Sequence, residues 1–234
     1  MLSDSQIERY SRQIILPRVG GQGQERLLRA RVLVGGDGPS QTEALLYLAA
    51  AGVGRIGIYG TGRSPIWAVL SAKSQGSAAG ALSQLNPDCM VIVHDCETSS
   101  DPEDGARLVE QYDVVLAEPN VRLHAACYVA RRPFVCGQVS TTMAWLAVYR
   151  GYEENRPCLS CEPLPFSGTS ASSDADGLGA PFVGTVLATE ATKLVLGLNL
   201  EGSAKLLQYR FPELSFHERA LVKNPHCPVC GRSE

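Results

Sequence analysis

The 234-residue chain carries 21 basic against 24 acidic residues, a formal net charge of -3, so no electrostatic argument favours nucleic acid or an anionic membrane as a partner. The length suits one α/β domain with a C-terminal appendage better than two domains. The opening "MLSDSQIERYSRQ" lacks the apolar core of a secretory signal, and no apolar run reaches the ~18 residues of a membrane span, so a cytoplasmic protein is expected.

"SDSQIERYSRQIIL" opens on a capping-type Ser or Asp and places Ile7, Tyr10, Ile14 and Ile15 near helical spacing, which predicts an N-terminal helix. A short second helix is expected through "GQERLLRA". "RVLVG", starting at Arg31, reads as a strand buried on both faces. "EALLYLAAAG" follows as a helix closed by Gly52, and "RIGIY" as the second strand. "AGALSQLNP" ends a helix at a proline; "CMVIVHD", "DVVLAE" and "PFVCG" read as strands separated by the helices "GARLVEQY" and "RLHAACYVARR". This alternation argues for a mostly parallel sheet covered by helices. After residue 138 the pattern changes. "TTMAWLAVYRG", "KLLQYRF" and "SFHERALV" predict antiparallel strands, and "FSGTSASSDADGLGAP" predicts a polar loop before the helix "PFVGTVLATEATKLVLG".

Of eight cysteines, Cys158 and Cys161 in "PCLSC" and Cys227 and Cys230 in "HCPVCG" form two C-x-x-C pairs. Each pair can put two thiolates on one turn, and four thiolates match the ligand set of structural zinc. Such a site has no open position for water and therefore no catalytic role. Unliganded or redox-active cysteines are the competing reading. Cys89, Cys96, Cys127 and Cys136 fall in predicted strands or helices and read as small buried apolar residues.

In chain order, "ERYSRQIILP", "GQERLLRARVLV", "ALLYLAAAGVGRIGI", "LNPD", "RPFVCG", "RPCLSC" and "HCPVCG" resemble the motifs of the ThiF/MoeB/HesA family, bacterial relatives of ubiquitin-activating enzymes. The resemblance covers nearly the whole chain. It implies an α/β fold with a doubly wound, mostly parallel Rossmann-like sheet, antiparallel C-terminal strands and a structural zinc site. The organisation implied is one domain over 1–234: N-terminal helices (1–30), core (31–138), then antiparallel strands, loop, helix and zinc tail (139–234). Active members use ATP and Mg to adenylate the C-terminal carboxylate of a ubiquitin-like sulfur carrier. They work as homodimers or as heterodimers with a related chain.

The same resemblance marks departures. The glycine turn keeps Gly36 and Gly38, the cofactor-binding candidates, but Pro39 offers no N–H to a phosphate and Gln41 stands where a third glycine would permit close helix packing. Asp37 adds negative charge; at ~5 Å and an effective dielectric of ~20, one carboxylate–phosphate repulsion is about 3 kcal/mol. Ser40 and Glu43 have the S-x-x-E spacing of a capping box, with which the helix would satisfy its own first N–H groups. The second strand ends at Gly60, where the family has a ribose-binding acid. Arg63 is a possible stand-in for a phosphate-binding arginine, and Lys73 lies one position from the expected phosphate-binding lysine, at Ser74. Glu118, Pro119 and Asn120 stand where the family has an Asp-Asn pair for Mg, and Ser173 replaces a loop cysteine. Arg12 matches an arginine that reaches the nucleotide of the partner subunit, with Arg9 as its structural companion. These departures argue against ATP and Mg as cofactors. They lead to the expectation of a pseudoenzyme that pairs with an active relative or binds a sulfur carrier; the alternative is an active adenylyltransferase with rearranged nucleotide contacts.

Overall fold

The computed structural model describes residues 1–60, 62, 67, 76–94, 102–140, 142–162, 176–198 and 204–231. Three short N-terminal helices, α1 (Asp4–Arg9), α2 (Ser11–Ile14) and α3 (Gly20–Arg29), precede β1 (Arg31–Gly35), α4 (Pro39–Ala51), β2 (Arg55–Tyr59), α5 (Ala78–Leu85), β3 (Met90–His94), α6 (Pro102–Glu110), β4 (Val114–Ala117), α7 (Val121–Val129) and β5 (Phe134–Val139). β6 (Met143–Tyr149), a 3-10 turn at Leu159–Cys161, α8 (Asp176–Leu196), β7 (Lys205–Arg210) and β8 (Ser215–Ala220) complete the order.

The strands form one sheet of order β3-β2-β1-β4-β5-β6-β7-β8, parallel through β5 and antiparallel beyond it. The apolar strands β1, β2, β4 and β5 bury both faces, as their near-continuous hydrophobicity requires, while β3 at the edge leaves Met90 and Val93 exposed. Val32 and Val34 join the core under α4 and α8, while Leu33 between them joins the core under α6 and α7. Successive side chains alternate faces, so one strand serves both helical layers. Gly57 on β2 has a packing reason: a Cβ there would collide with the buried Tyr112, whose hydroxyl lies 2.5 Å from Nε2 of His94. Gly184 does the same for the helices, because a Cβ would run into the backbone of Ser40 and so push α8 away from α4.

Three local expectations change. The N-terminal helix is broken at Tyr10, which turns inward and is 1% exposed, while Ile7 and Ile15 remain exposed. The Tyr10 hydroxyl donates to Asp88 Oδ2 and accepts from Asn86 Nδ2, each at 2.9 Å, which holds it there, and Ser3 and Gln6 form the capping box that starts α1. Helix α8 begins at Asp176, so the last residues of the expected loop, 176–181, are helical and Pro181 lies inside the helix. The rest of that loop, 166–175, and Cys96 lie outside the described residues.

Candidate functional site

The sheet order reverses at β1, which has β2 on one side and β4 on the other. Ligands of doubly wound sheets bind in the crevice beyond the carboxyl ends of the strands at such a switch point. Residues 36–38 occupy it. Gly36 takes φ 103°, a conformation costly for any residue with a side chain.

Helix α4 then begins on Pro39, whose fixed φ and missing N–H suit the first helical position. Its N-cap is Gly38, and no side chain caps it. The capping box expected from Ser40 and Glu43 is therefore not formed, because Pro39 starts the helix one residue before Ser40 and leaves Ser40 inside the first turn, 2% exposed. Gln41 is 1% exposed and folds back over the glycines. Its Oε1 lies 2.6 Å from where a Cβ of Gly38 would stand, and its Cδ 3.7 Å from the equivalent point at Gly36. Neither amide atom of Gln41 has a hydrogen-bond partner.

Asp37 does not face the helix terminus. Its carboxylate reaches sideways to the end of β2, where Oδ1 accepts the Gly62 N–H at 3.0 Å and both oxygens stand against Gly60. Glu118 comes from the other side of the switch point; its Oε1 is 3.3 Å from where a Cβ of Gly38 would be. Burial, with a smaller contribution from the Glu118 charge, holds the Cys136 thiol well above its ordinary pKa, so Cys136 is an inert apolar residue beside this crevice. Asn120 caps α7 by accepting the Leu123 N–H at 2.9 Å. Lys73, Arg63, Ser74 and Ser173 lie outside the described residues.

Arg12 lies on α2, exposed, and away from the glycine turn. Gln13 beside it reaches the Ala50 carbonyl at 3.5 Å, at the C-terminal end of α4. At 1.5 Å per residue the turn at Gly38 is about 18 Å from there, so Arg12 and the turn of the same chain are not brought together. Arg9 pairs with Asp88 at 3.4 Å, which helps tie the N-terminal helices to the α5–β3 connection.

The two C-x-x-C pairs, 66 positions apart in sequence at their nearest ends (161 to 227), do converge. The Sγ atoms of Cys158, Cys161, Cys227 and Cys230, all buried, lie within 4.8 Å of one another. Cys158–Cys227 is 3.5 Å and Cys161–Cys230 is 3.3 Å, against ~2.05 Å for a disulfide and ~3.8 Å between sulfurs placed tetrahedrally at a Zn–S distance of ~2.3 Å. Buried thiols at this spacing, with the Cys158 N–H directed at Cys161 Sγ at 3.3 Å, can hold a metal such as zinc. Burial pushes the Cys158 and Cys230 thiols up. Burial also acts on Cys227, but there the backbone N–H groups of Cys230 and Val229 and the neighbouring thiols outweigh it and lower the thiol to about 7.

His124 carries no sequence pattern that announces it. It is 2% exposed on α7, and its Nε2 accepts the Leu159 N–H at 3.1 Å, so it fixes the first cysteine turn to the parallel half of the sheet. Burial lowers its pKa to about 4, keeping the ring a neutral acceptor.

The chain is thus a doubly wound α/β protein with a glycine turn at its switch point and a four-thiol cluster at its antiparallel end. It belongs to the ThiF family, whose model matches residues 10–63 and 67–229. It is 32% identical over 249 residues to the sulfur carrier protein adenylyltransferase of Thermus thermophilus, covering 97% of this chain and 91% of that protein. To the molybdopterin-synthase adenylyltransferase of Escherichia coli it is 31% identical, covering 99% of each. Among solved structures, E. coli MccB with ATP superposes with a TM-score of 0.74 at 17% identity over 96% of this chain and 75% of that one, a likeness of fold. No helix among the described residues is long and apolar enough to cross a membrane.

Proposed function

We propose that this chain is a non-catalytic member of the ThiF family: a dimer-forming, cytoplasmic, single-domain protein that engages a ubiquitin-like sulfur carrier or an active relative without itself turning over ATP. The activities for which these relatives are named, adenylylation of a sulfur carrier and of molybdopterin synthase, support this class of partner. The observation that carries the loss of catalysis is Gln41, whose unpartnered amide fills the space behind Gly36 and Gly38. A phosphate bound at a helix N-terminus needs free N–H groups and close backbone approach; Pro39 removes one donor, and Gln41 occupies the space a third glycine leaves open. Zinc on the four cysteines holds the C-terminal tail to the segment after β6 and takes no part in chemistry.

Arg12 fits this reading as a group supplied in trans. It is exposed about one helix length from its own turn, where it is free to reach a partner's nucleotide and stabilise phosphate charge there. The test is to mix the protein with an active adenylyltransferase and its sulfur carrier. A complex, with an adenylation rate changed by the wild type and not by Arg12→Ala, is expected. No complex with either partner and no change of rate would end the proposal.

A second reading, an active adenylyltransferase with rearranged contacts, draws on Glu118 and on the uncapped end of α4. The Glu118 carboxylate beside Gly38 stands near where a metal ligand would be needed. Glu118→Gln would abolish turnover under that reading and leave a non-catalytic protein unchanged.

A further inference from the structure

Between the two cysteine hooks, Cys158 Sγ lies 3.5 Å from Cys227 Sγ and Cys161 Sγ 3.3 Å from Cys230 Sγ, while Cys158 and Cys161 within the first hook stand 3.9 Å apart. Forming an S–S bond of ~2.05 Å closes about 1.3 to 1.5 Å between the hooks and about 1.9 Å within the first one. The first hook is also wound as a 3-10 turn, with the Cys161 N–H on the Cys158 carbonyl at 3.0 Å and the Cys158 N–H on Cys161 Sγ at 3.3 Å. A disulfide inside it would have to draw the two ends of that turn together.

Contacts that need no metal keep the hooks opposed. Glu162, next to Cys161, accepts the Val222 N–H at 2.8 Å and pairs with Arg219, so the segment leading to the second hook is tied beside the first. The Leu159 N–H bonds His124 at 3.1 Å, and the Leu221 N–H bonds the Ala204 carbonyl at 2.8 Å. The sulfurs therefore keep their register across the hooks when metal is absent.

We propose that the cluster is a redox-sensitive fastening: hydrogen peroxide joins Cys158 to Cys227 and Cys161 to Cys230, which expels the metal yet leaves the segment after β8 bound to the turn after β6. In each pair one sulfur attacks a peroxide oxygen, the O–O bond breaks, and a sulfenic acid and one water form. The facing thiol then displaces the sulfenic oxygen as a second water, and the S–S bond forms. Each sulfur pair gives up two electrons and reduces one peroxide. The two thiol protons end in those waters, or two solvent protons where the pair starts as metal thiolates. All four cysteines are buried, and a facing thiol stands ready to capture each sulfenic acid before it oxidises further. Disulfide sulfurs are not thiolates, the form that binds zinc, so the two states exclude each other. Each link spans 69 positions, against three within the first hook, and long loops lose the most unfolded-chain freedom on cross-linking. In a reducing compartment the thiol form prevails, and the disulfide form marks oxidising conditions. The inference holds for a catalytic and a non-catalytic chain alike.

The test treats the zinc-loaded full chain with hydrogen peroxide, follows zinc with a chromogenic chelator and maps disulfides by mass spectrometry of non-reduced digests. One zinc released per two disulfides is expected, with the peptide holding Cys158 and Cys161 linked to the one holding Cys227 and Cys230, and with zinc binding restored by a thiol reductant. Double variants read the partners: Cys161→Ser/Cys230→Ser should form its single disulfide about tenfold faster than Cys161→Ser/Cys227→Ser. The oxidised, metal-free protein should melt about 10 °C above the reduced, metal-free protein. Mapping and melting are also run from the reduced, metal-free chain, so that a failure to load zinc is told apart from a failure of the cross-hook pairing. Disulfides confined to single hooks, equal rates in the two double variants, oxidation without disulfides, or equal melting of the two metal-free forms would overturn the proposal.

Discussion

Replacing Gln41 with methionine probes its packing against the glycine turn most simply. Glutamine and methionine have similar length and helix propensity, so the substitution keeps the packing against Gly36 and Gly38 while deleting two buried amide atoms that have no hydrogen-bond partner. Each buried unsatisfied polar group costs about 1–3 kcal/mol. Taking the low end for each of the two atoms, Gln41→Met should stabilise the nucleotide-free protein by about 2 kcal/mol. At about 2–4 °C per kcal/mol for a chain of this size, Tm should rise by about 4–8 °C. Urea denaturation and thermal scans of the nucleotide-free protein measure both quantities. An unchanged or lowered stability would mean that the amide is satisfied in solution, and the argument that Gln41 plugs the turn at an energetic cost would fall.

Tyr10→Phe removes the hydroxyl that binds Asn86 and Asp88 and should cost about 1–2 kcal/mol in denaturant titrations. Burial foremost pushes the Tyr10 hydroxyl up to about 12 from 10.0. Its protonated form is thus favoured by folding, and the contribution is intact below pH ~10 and lost as the pH rises towards ~12. Alkaline stability curves of the wild type should fall in that window more steeply than those of Tyr10→Phe. Gly57→Ala would force a Cβ into the Tyr112 ring and should destabilise by about 1–3 kcal/mol, with partial relief in Gly57→Ala/Tyr112→Phe; full stability in the single variant would refute the packing. Elemental analysis should find about one zinc per chain, and Cys227→Ser or a strong chelator should release it and lower Tm. Retention of the metal by Cys227→Ser would contradict a four-thiolate site.

Much of the architecture was legible because it rests on periodicity. The apolar runs "RVLVG" and "DVVLAE" read as strands, the first suited to burial on both faces, and the two C-x-x-C pairs announced the thiol cluster before any geometry. What escaped depended on which way single side chains turn. Spacing alone suggested that Ser40 and Glu43 cap a helix, but Pro39 starts the helix earlier, and its preset φ decides the boundary. Asp37 reads as a charge beside a phosphate until the backbone shows it bonded to Gly62 and lying against Gly60, a long-range relation that no local pattern encodes. His124 was silent for the same reason, since its partner is a backbone N–H thirty-five residues on. The N-terminal helix broke because burying Tyr10 against Asn86 outweighed continuing a short, exposed helix.

The central claim is that the nucleotide crevice has lost its chemistry while keeping its place in the fold. ATP–pyrophosphate exchange, run with Mg, purified protein and a ubiquitin-like sulfur carrier ending in a free carboxylate, tests it directly. No exchange above background is expected from the wild type, alongside robust exchange by an active relative in the same assay. Carrier-dependent exchange by this protein alone would contradict the claim and establish it as a working adenylyltransferase.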